Sequence, residues 1–352
     1  MKILQLIPDL GMGGAEKVCE TLTYELVKLG HTVTVVSLYN EKTIISKRLI
    51  DNGVNVVFLN KKSGLDFNCI KELKELYKQI KPEVIHTHLY AFKYAVLSTF
   101  FSKIKIVHTV HSVASKERDK KALRLFGKLK RVTIVGLSSE VMNTIAKEFG
   151  LKKDNIPIVL NGVDLEKCIV KMNYGLSSEN TIIHVGRYSI PKNHIELLKA
   201  MKIIHSQYPA WKLMLVGDGE LREEIRSFIT ENNMSDYVVE KGVTDNIYPL
   251  LSKADIFVLP SIYEGIPMTV LEAMGTALPI IASNVGGIPD LITNEKNGLL
   301  IENPTAENIV NSLQIMIRSK ELRKSLGVQA LSTSKKYCSR EMARKYIKIY
   351  RG

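Results

Sequence analysis

No Cys-x-x-Cys pair occurs in this chain, and its four cysteines, Cys19, Cys69, Cys168 and Cys338, are too scattered for a disulfide framework. A reducing, cytoplasmic setting is expected. No apolar run approaches the 18 or so residues needed to span a bilayer, and the amino terminus MKILQLIPDL reads as a first strand rather than a signal peptide. No Asp-x-Asp pair is present, so the carboxylates that commonly hold Mg²⁺ or Mn²⁺ against a diphosphate are missing. The dinucleotide fingerprint is also incomplete. In Gly11-Met12-Gly13-Gly14-Ala15-Glu16 the third glycine position is Glu16, and after Gly217-Asp218-Gly219 it is Arg222. Both patterns read equally well as tight strand-to-helix turns. The basic residues lack interleaved aromatics and match no nucleic-acid-binding module.

What is present is a 352-residue chain with 45% hydrophobic and 24% charged residues, enough for two buried cores. The net charge of +13 is uneven, with 26 Lys and Arg against 16 Asp and Glu in residues 1–165. Within that half, Lys116–Arg131 (KERDKKALRLFGKLKR) predicts a basic amphipathic helix, which suits an anionic membrane surface or a solvated face equally.

Strand-like runs alternate with amphipathic helical stretches, which predicts doubly wound parallel sheets. The first series runs Ile3–Ile7, Thr32–Leu38, Val54–Leu59, Val84–Thr87, Ile104–Thr109, Val132–Leu137 and Ile156–Leu160. Periodicity lapses over Asn161–Asn180, the expected linker, and a second series begins at Thr181 and runs to Ile301. Helical, Lys- and Arg-rich segments at Ala306–Leu326 and Ser339–Tyr350 close the chain. Domains are expected at 1–165 and 166–336, with residues 337–352 forming a helix that packs back on the first. Two such units, facing each other, would border one cleft.

Three stretches carry candidate chemistry. Ser261–Glu272 (SIYEGIPMTVLE) places Glu264 in a turn and Glu272 in a helix that Pro267 is expected to open as its first residue. The free N–H groups of that first turn suit a phosphate or a sugar hydroxyl. In HVGRYSIPKNH, Arg187 offers a planar fork and Lys192 a mobile point charge for a diphosphate, cations that would do a metal's work. Four histidines cluster at two strand ends, His86 with His88 and His108 with His111. A zinc site on His86 and His88 is one reading, weakened by the absence of cysteine or a helical His-Glu-x-x-His pattern. His111, just past a strand end, is better placed to meet a substrate hydroxyl or phosphate.

Taken together, GGAE, HTVHS, NGVD, HVGRYSIPKN, LVGDGE and YEGIPMTVLEAMGTALPIIASNVGGIPDLI resemble the retaining glycosyltransferases of family 4 over nearly the whole chain, the last stretch with its E-x7-E spacing most specifically. The resemblance implies the GT-B fold, with the acceptor on the first domain and the sugar nucleotide, a UDP-sugar, on the second. It implies that Glu264 contacts the transferred sugar beside the backbone of Gly265, Ile266, Pro267 and Met268, and that Glu272 accepts from the ribose. Arg187 and Lys192 would bind the diphosphate, Gly14 would lend its backbone to the phosphate or sugar, Val243 would lie by the base, and His111 would face the transferred sugar. No metal or other cofactor is implied. Ile266 stands where an aromatic is common, and Asp290 replaces the usual Glu after GGIP.

The expected activity is retaining transfer of a hexose or N-acetylhexosamine to a lipid-linked saccharide, such as one on a polyprenyl diphosphate, in polysaccharide synthesis. The enzyme would be cytoplasmic or peripheral on the inner membrane face. A soluble acceptor, a non-catalytic nucleotide-sugar sensor and a nucleotide-binding oxidoreductase are the alternatives, the last disfavoured by the incomplete glycine patterns.

Overall fold

The computed structural model describes every residue except Met12 and Val113, with Lys116 described by its backbone alone. Runs rich in Val and Ile form two six-stranded sheets, parallel throughout, one in each of two units. Unit 1 comprises Met1–Gly162 with Ser339–Gly352, and unit 2 comprises Val163–Cys338.

In unit 1 the strands are β1 (Lys2–Ile7), β2 (Thr32–Ser37), β3 (Asn55–Phe58), β4 (Val84–His88), β5 (Lys105–Val110) and β6 (Val132–Gly136), in the order β3-β2-β1-β4-β5-β6. In unit 2 they are β7 (Asn180–Val185), β8 (Trp211–Val216), β9 (Val238–Gly242), β10 (Ile256–Leu259), β11 (Ile280–Ser283) and β12 (Leu299–Ile301), in the order β12-β11-β10-β7-β8-β9. Helices cover both faces of such sheets, which is why β1, β4 and β10 are buried almost without interruption. In each unit the strand order reverses beside the first strand, between β1 and β4 and between β7 and β10. Doubly wound sheets bind ligands at the carboxyl ends of strands flanking that reversal.

The carboxyl-terminal helix Ser339–Arg351 belongs to unit 1. Its buried stripe, Met342, Ala343, Tyr346 and Tyr350, follows helical spacing and packs on β5 and on the helix Gly14–Lys28.

Four sequence expectations are corrected. Ile156–Leu160 is not a strand, and only an isolated bridge joins Ile158 to Gly136. Pro157 has no N–H to give a ladder there. The segment 116–131 is not one helix either. Only Lys120–Phe126 is α-helical, and it ends at Gly127, which lies so close to the Leu123 carbonyl that a Cβ would stand 2.4 Å from the oxygen. Ala306–Leu326 breaks at Ser319, whose extended backbone (φ −126°, ψ 109°) ends Ala306–Arg318 while its side chain caps Lys320–Ser334 by accepting from the Leu322 N–H. Pro267 has ψ 120° and sits just outside the helix, which begins at Met268. The aperiodic stretch after Gly162 is irregular but docked on unit 2. There the Tyr174 hydroxyl donates to the Ala277 carbonyl at 2.8 Å, and the Lys171 N–H donates to that of Thr276 at 2.8 Å.

Candidate active site

In unit 2 the loops that leave β7 and β10 are tied together by the backbone. After β7 comes the short turn Ile190–Lys192, then Asn193 in the left-handed region (φ 58°). The Asn193 side-chain amide donates to the Pro260 carbonyl at 3.1 Å and to that of Pro304 at 2.8 Å. The Ile262 N–H donates to the Pro191 carbonyl at 2.8 Å. These bonds set Lys192 over the turn that carries Glu264. Lys192 Nζ reaches Glu264 Oε1 at 2.5 Å, and Ser261 Oγ donates to the same oxygen at 2.6 Å. Side-chain exposure is only 19% for Lys192 and 10% for Glu264, so the pair is screened less than a surface ion pair. Glu264 Oε2 makes no hydrogen bond among the described residues and remains an open acceptor.

The glycines serve this arrangement. Gly286 adopts φ +59°, and a Cβ there would lie 1.9 Å from the Glu264 carbonyl oxygen. At Gly287 a Cβ would lie 2.4 Å from Ile266 Cδ1, while the Gly287 N–H donates to the Gly265 carbonyl at 2.9 Å. Gly286-Gly287 is therefore a close-fitting brace for the Glu264 turn, and Ile266 turns its side chain onto that brace. Gly217-Asp218-Gly219 braces the β7 loop in the same way, with the Tyr188 N–H donating to the Asp218 carbonyl at 3.0 Å and the Leu221 N–H to that of Tyr188 at 3.0 Å.

Arg187, on that loop, is exposed and pairs with Glu220 at 3.0 Å; the bonds just described bring Lys192, but not Arg187, onto Glu264. Glu272 is buried at 4% exposure in the helix Met268–Gly275, whose start has no side-chain cap. Val243 is exposed just past Gly242, which has φ +66°. Beneath Lys192, the rings of His184 and His194 pack edge to face with centroids 4.6 Å apart. Burial pushes their pKa values down to about 4 and about 2. Two neutral imidazoles leave Lys192, Arg187 and the carboxylates to set the local charge.

In unit 1, Gly14 is exposed and opens the helix Gly14–Lys28, with nothing within 4 Å of where a Cβ would stand. The four histidines are not a metal site. His86 Nδ1 pairs with the Tyr350 hydroxyl at 2.7 Å and its Nε2 with Thr109 Oγ1 at 2.8 Å, while His88 Nδ1 pairs with His111 Nε2 at 2.9 Å and its Nε2 with Gln5 Oε1 at 2.9 Å. All four nitrogens of His86 and His88 are engaged, and no group of three potential metal ligands occurs among the described residues. His108 turns to the opposite face, pairing Nδ1 with Thr87 Oγ1 at 2.9 Å. His111 is partly buried just beyond β5, and desolvation takes its pKa down to about 3.

Sequence reasoning missed Gln5, Ser261 and Glu220. Gln5 alone had a legible signal, as the single polar side chain within the apolar run Ile3–Ile7.

Two Rossmann-like units of this topology define the GT-B class of glycosyltransferase folds. HepE of Anabaena, solved with UDP and glucose, superimposes with a TM-score of 0.86 at 17% identity over 99% of both chains. Residues 12–167 match Glycosyltransferase Family 4 and residues 172–332 match Glycosyl transferases group 1. The UDP-Gal:alpha-D-GlcNAc-diphosphoundecaprenol alpha-1,3-galactosyltransferase of Escherichia coli is 32% identical over 270 residues, 69% of each chain. The N-acetyl-alpha-D-glucosaminyl L-malate synthase of Bacillus anthracis is 26% identical over 302 residues, 81% of this chain and 78% of that one. The chain belongs to glycosyltransferase family 4.

Proposed function

We propose that this glycosyltransferase moves a hexose or N-acetylhexosamine from a UDP-sugar to a lipid-linked saccharide, with retention at the anomeric carbon and without a metal ion, in polysaccharide synthesis. The observation that carries the reading is the Lys192–Glu264–Ser261 cluster at the strand-order reversal of unit 2, a cation and an open carboxylate oxygen side by side. The similarity to a diphosphoundecaprenol galactosyltransferase supports the acceptor class.

In the proposed reaction the bond from the anomeric carbon to the diphosphate oxygen breaks while the acceptor oxygen bonds to that carbon from the same face. The acceptor's proton passes to the departing phosphate oxygen. Lys192, with Arg187 released from Glu220, stabilises the negative charge that grows on the diphosphate, an effect directed at the transition state. Glu264 Oε2 accepts from a hydroxyl of the transferred sugar, Glu272 from the ribose, and His111 from a saccharide hydroxyl. The first-turn N–H groups at Met268 face the sugar, Val243 lies by the base through its backbone, and Gly14 offers its N–H to the phosphate or sugar.

A panel of UDP-glucose, UDP-galactose and their N-acetylhexosamine counterparts, offered with a polyprenyl-diphosphate-linked N-acetylglucosamine in the presence and absence of EDTA, tests the reading. One UDP-sugar should be consumed, equally fast in EDTA. Consumption abolished by EDTA would remove the metal-free mechanism, and no consumption of any would remove the donor class. The similarity to an L-malate synthase favours a soluble acceptor as the second reading, in which a small hydroxy acid replaces the lipid-linked saccharide in the same assay.

A further inference from the structure

We propose that Gln5 and His88 are positioning residues that fix the tautomer of His111, so that it presents a bare Nδ1 lone pair to a saccharide hydroxyl and not an N–H to a phosphate. This rests on the reading of His111 given above and narrows its ligand to a hydrogen-bond donor.

The order of donors follows from one end of the chain. The Gln5 side-chain nitrogen faces Thr23 Oγ1 at 2.6 Å and the Cys19 carbonyl at 3.3 Å. That carbonyl can only accept, and Thr23 Oγ1 spends its own proton on the same carbonyl at 2.8 Å, so it too accepts from Gln5. The amide nitrogen therefore belongs on that side, and Oε1 faces His88. An amide oxygen cannot donate, so His88 Nε2 carries the proton of the 2.9 Å bond between them.

His88 is fully buried, and desolvation, then the neighbouring imidazoles His86, His111 and His108, hold its pKa well below the ordinary value. It is neutral, with one ring proton already placed on Nε2. Its Nδ1 is a lone pair, and the 2.9 Å bond to His111 requires the proton to come from His111 Nε2. His111, also neutral, has then no proton left for Nδ1. The alternative tautomer would set two lone pairs 2.9 Å apart, or turn His88 round and leave Gln5 Oε1 buried without a donor. Either loses a buried hydrogen bond, which biases the equilibrium on the order of tenfold or more.

The network is anchored at the sheet. Gln5 sits opposite His86 in the β1–β4 register, and His86 lies against His88 with ring centroids 4.4 Å apart. His86 is itself held by Tyr350 and Thr109, so the His88 ring cannot swing away without breaking contacts from three elements. A bare imidazole nitrogen attracts a hydroxyl proton and repels a phosphate oxygen. The site's preference is thereby written by a glutamine in the middle of the first strand.

The full-length chain labelled with ¹⁵N-histidine, without substrate, reads the tautomer directly from the ring-nitrogen signals at pH 7.5, His111 being assigned by the signals lost in His111→Gln. The expected result is an unprotonated Nδ1 and a protonated Nε2 in the wild type. Gln5→Leu removes the acceptor, and a protonated Nδ1 population should appear at His111. Turnover of the UDP-hexose the wild type consumes fastest should fall about tenfold, with the donor KM changed less than twofold. Should Gln5→Leu fail to fold by circular dichroism, His88→Leu serves instead, because it removes the acceptor for His111 Nε2 and should likewise let a protonated Nδ1 population appear. A proton on His111 Nδ1 in the wild type, or a tautomer unmoved in Gln5→Leu, overturns the proposal. A shifted tautomer with unchanged turnover overturns only the use of that lone pair by the substrate. The donor assignment fails separately, when the wild type consumes no UDP-sugar.

Discussion

In the proposed reaction Lys192 contacts two chemically opposite partners in turn: the Glu264 carboxylate in the free protein and the diphosphate during transfer. Replacing it by alanine leaves Glu264 held by Ser261 alone and removes a cation from the departing charge. The expected loss is on the order of 100-fold in kcat, about 3 kcal/mol of barrier, with an unchanged circular dichroism spectrum. A kcat within twofold of wild type would falsify the role. Lys192 and Glu264 were legible in sequence because each sits in a stretch with turn chemistry after an apolar run, and the structure joins them. The partners that hold them were not. Ser261 is one of many serines, Glu220 lies 33 residues from Arg187, and Gln5 reaches His88 across 83 residues. Sequence spacing carries no distance information at such separations.

Among the elements, the carboxyl-terminal helix shows what amphipathic spacing does and does not reveal. Its stripe of Met342, Ala343, Tyr346 and Tyr350 predicts burial, yet nothing in the pattern names β5 and the helix Gly14–Lys28 as its cover, or His86 as the group the Tyr350 hydroxyl satisfies. Tyr346 completes the arrangement by pairing with Thr109 Oγ1 at 2.8 Å. Tyr350→Phe should leave His86 Nδ1 buried without a partner and lower stability by about 1–3 kcal/mol, measured by urea unfolding. A midpoint equal to wild type would show that the hydroxyl contributes nothing. The misread elements have equally local causes: a proline without an N–H in 156–160, a glycine pressed on a carbonyl at 127, and a serine cap at 319 that splits a periodic run in two.

At the scale of the whole molecule, the repeated alternation of strand and helix made both sheets legible, while strand order is visible only in the structure. Both units also bury neutral histidines, with a consequence for pH. His108 in unit 1 is pushed down to about 3, and His184 and His194 in unit 2 to about 4 and about 2, all by desolvation first. A depressed folded-state pKa means that stability is fully present above the unfolded value near 6.5 and is lost as pH falls toward the folded values. Each of the three removes about 2 kcal/mol between pH 6.5 and pH 5. Glu117, raised to about 7 by burial and then by the Asp119 charge, works in the opposite sense and offsets one histidine in unit 1. Unit 2 has no such offset among these groups, and its two histidines predict a Tm lower by about 10 °C at pH 5 than at pH 7.5. A Tm that holds or rises on acidification would contradict this account of the buried imidazoles.

Among the described residues no helix is long and apolar enough to cross a membrane. The proposed chemistry is same-face sugar transfer from a nucleoside diphosphate. The most direct measurement is the anomeric proton coupling of the product by NMR, with UDP release counted in the same sample. An axial linkage from an α-linked UDP-hexose, with one UDP released per bond formed, is the predicted result. An equatorial linkage, or UDP released with no new glycosidic bond, would contradict it.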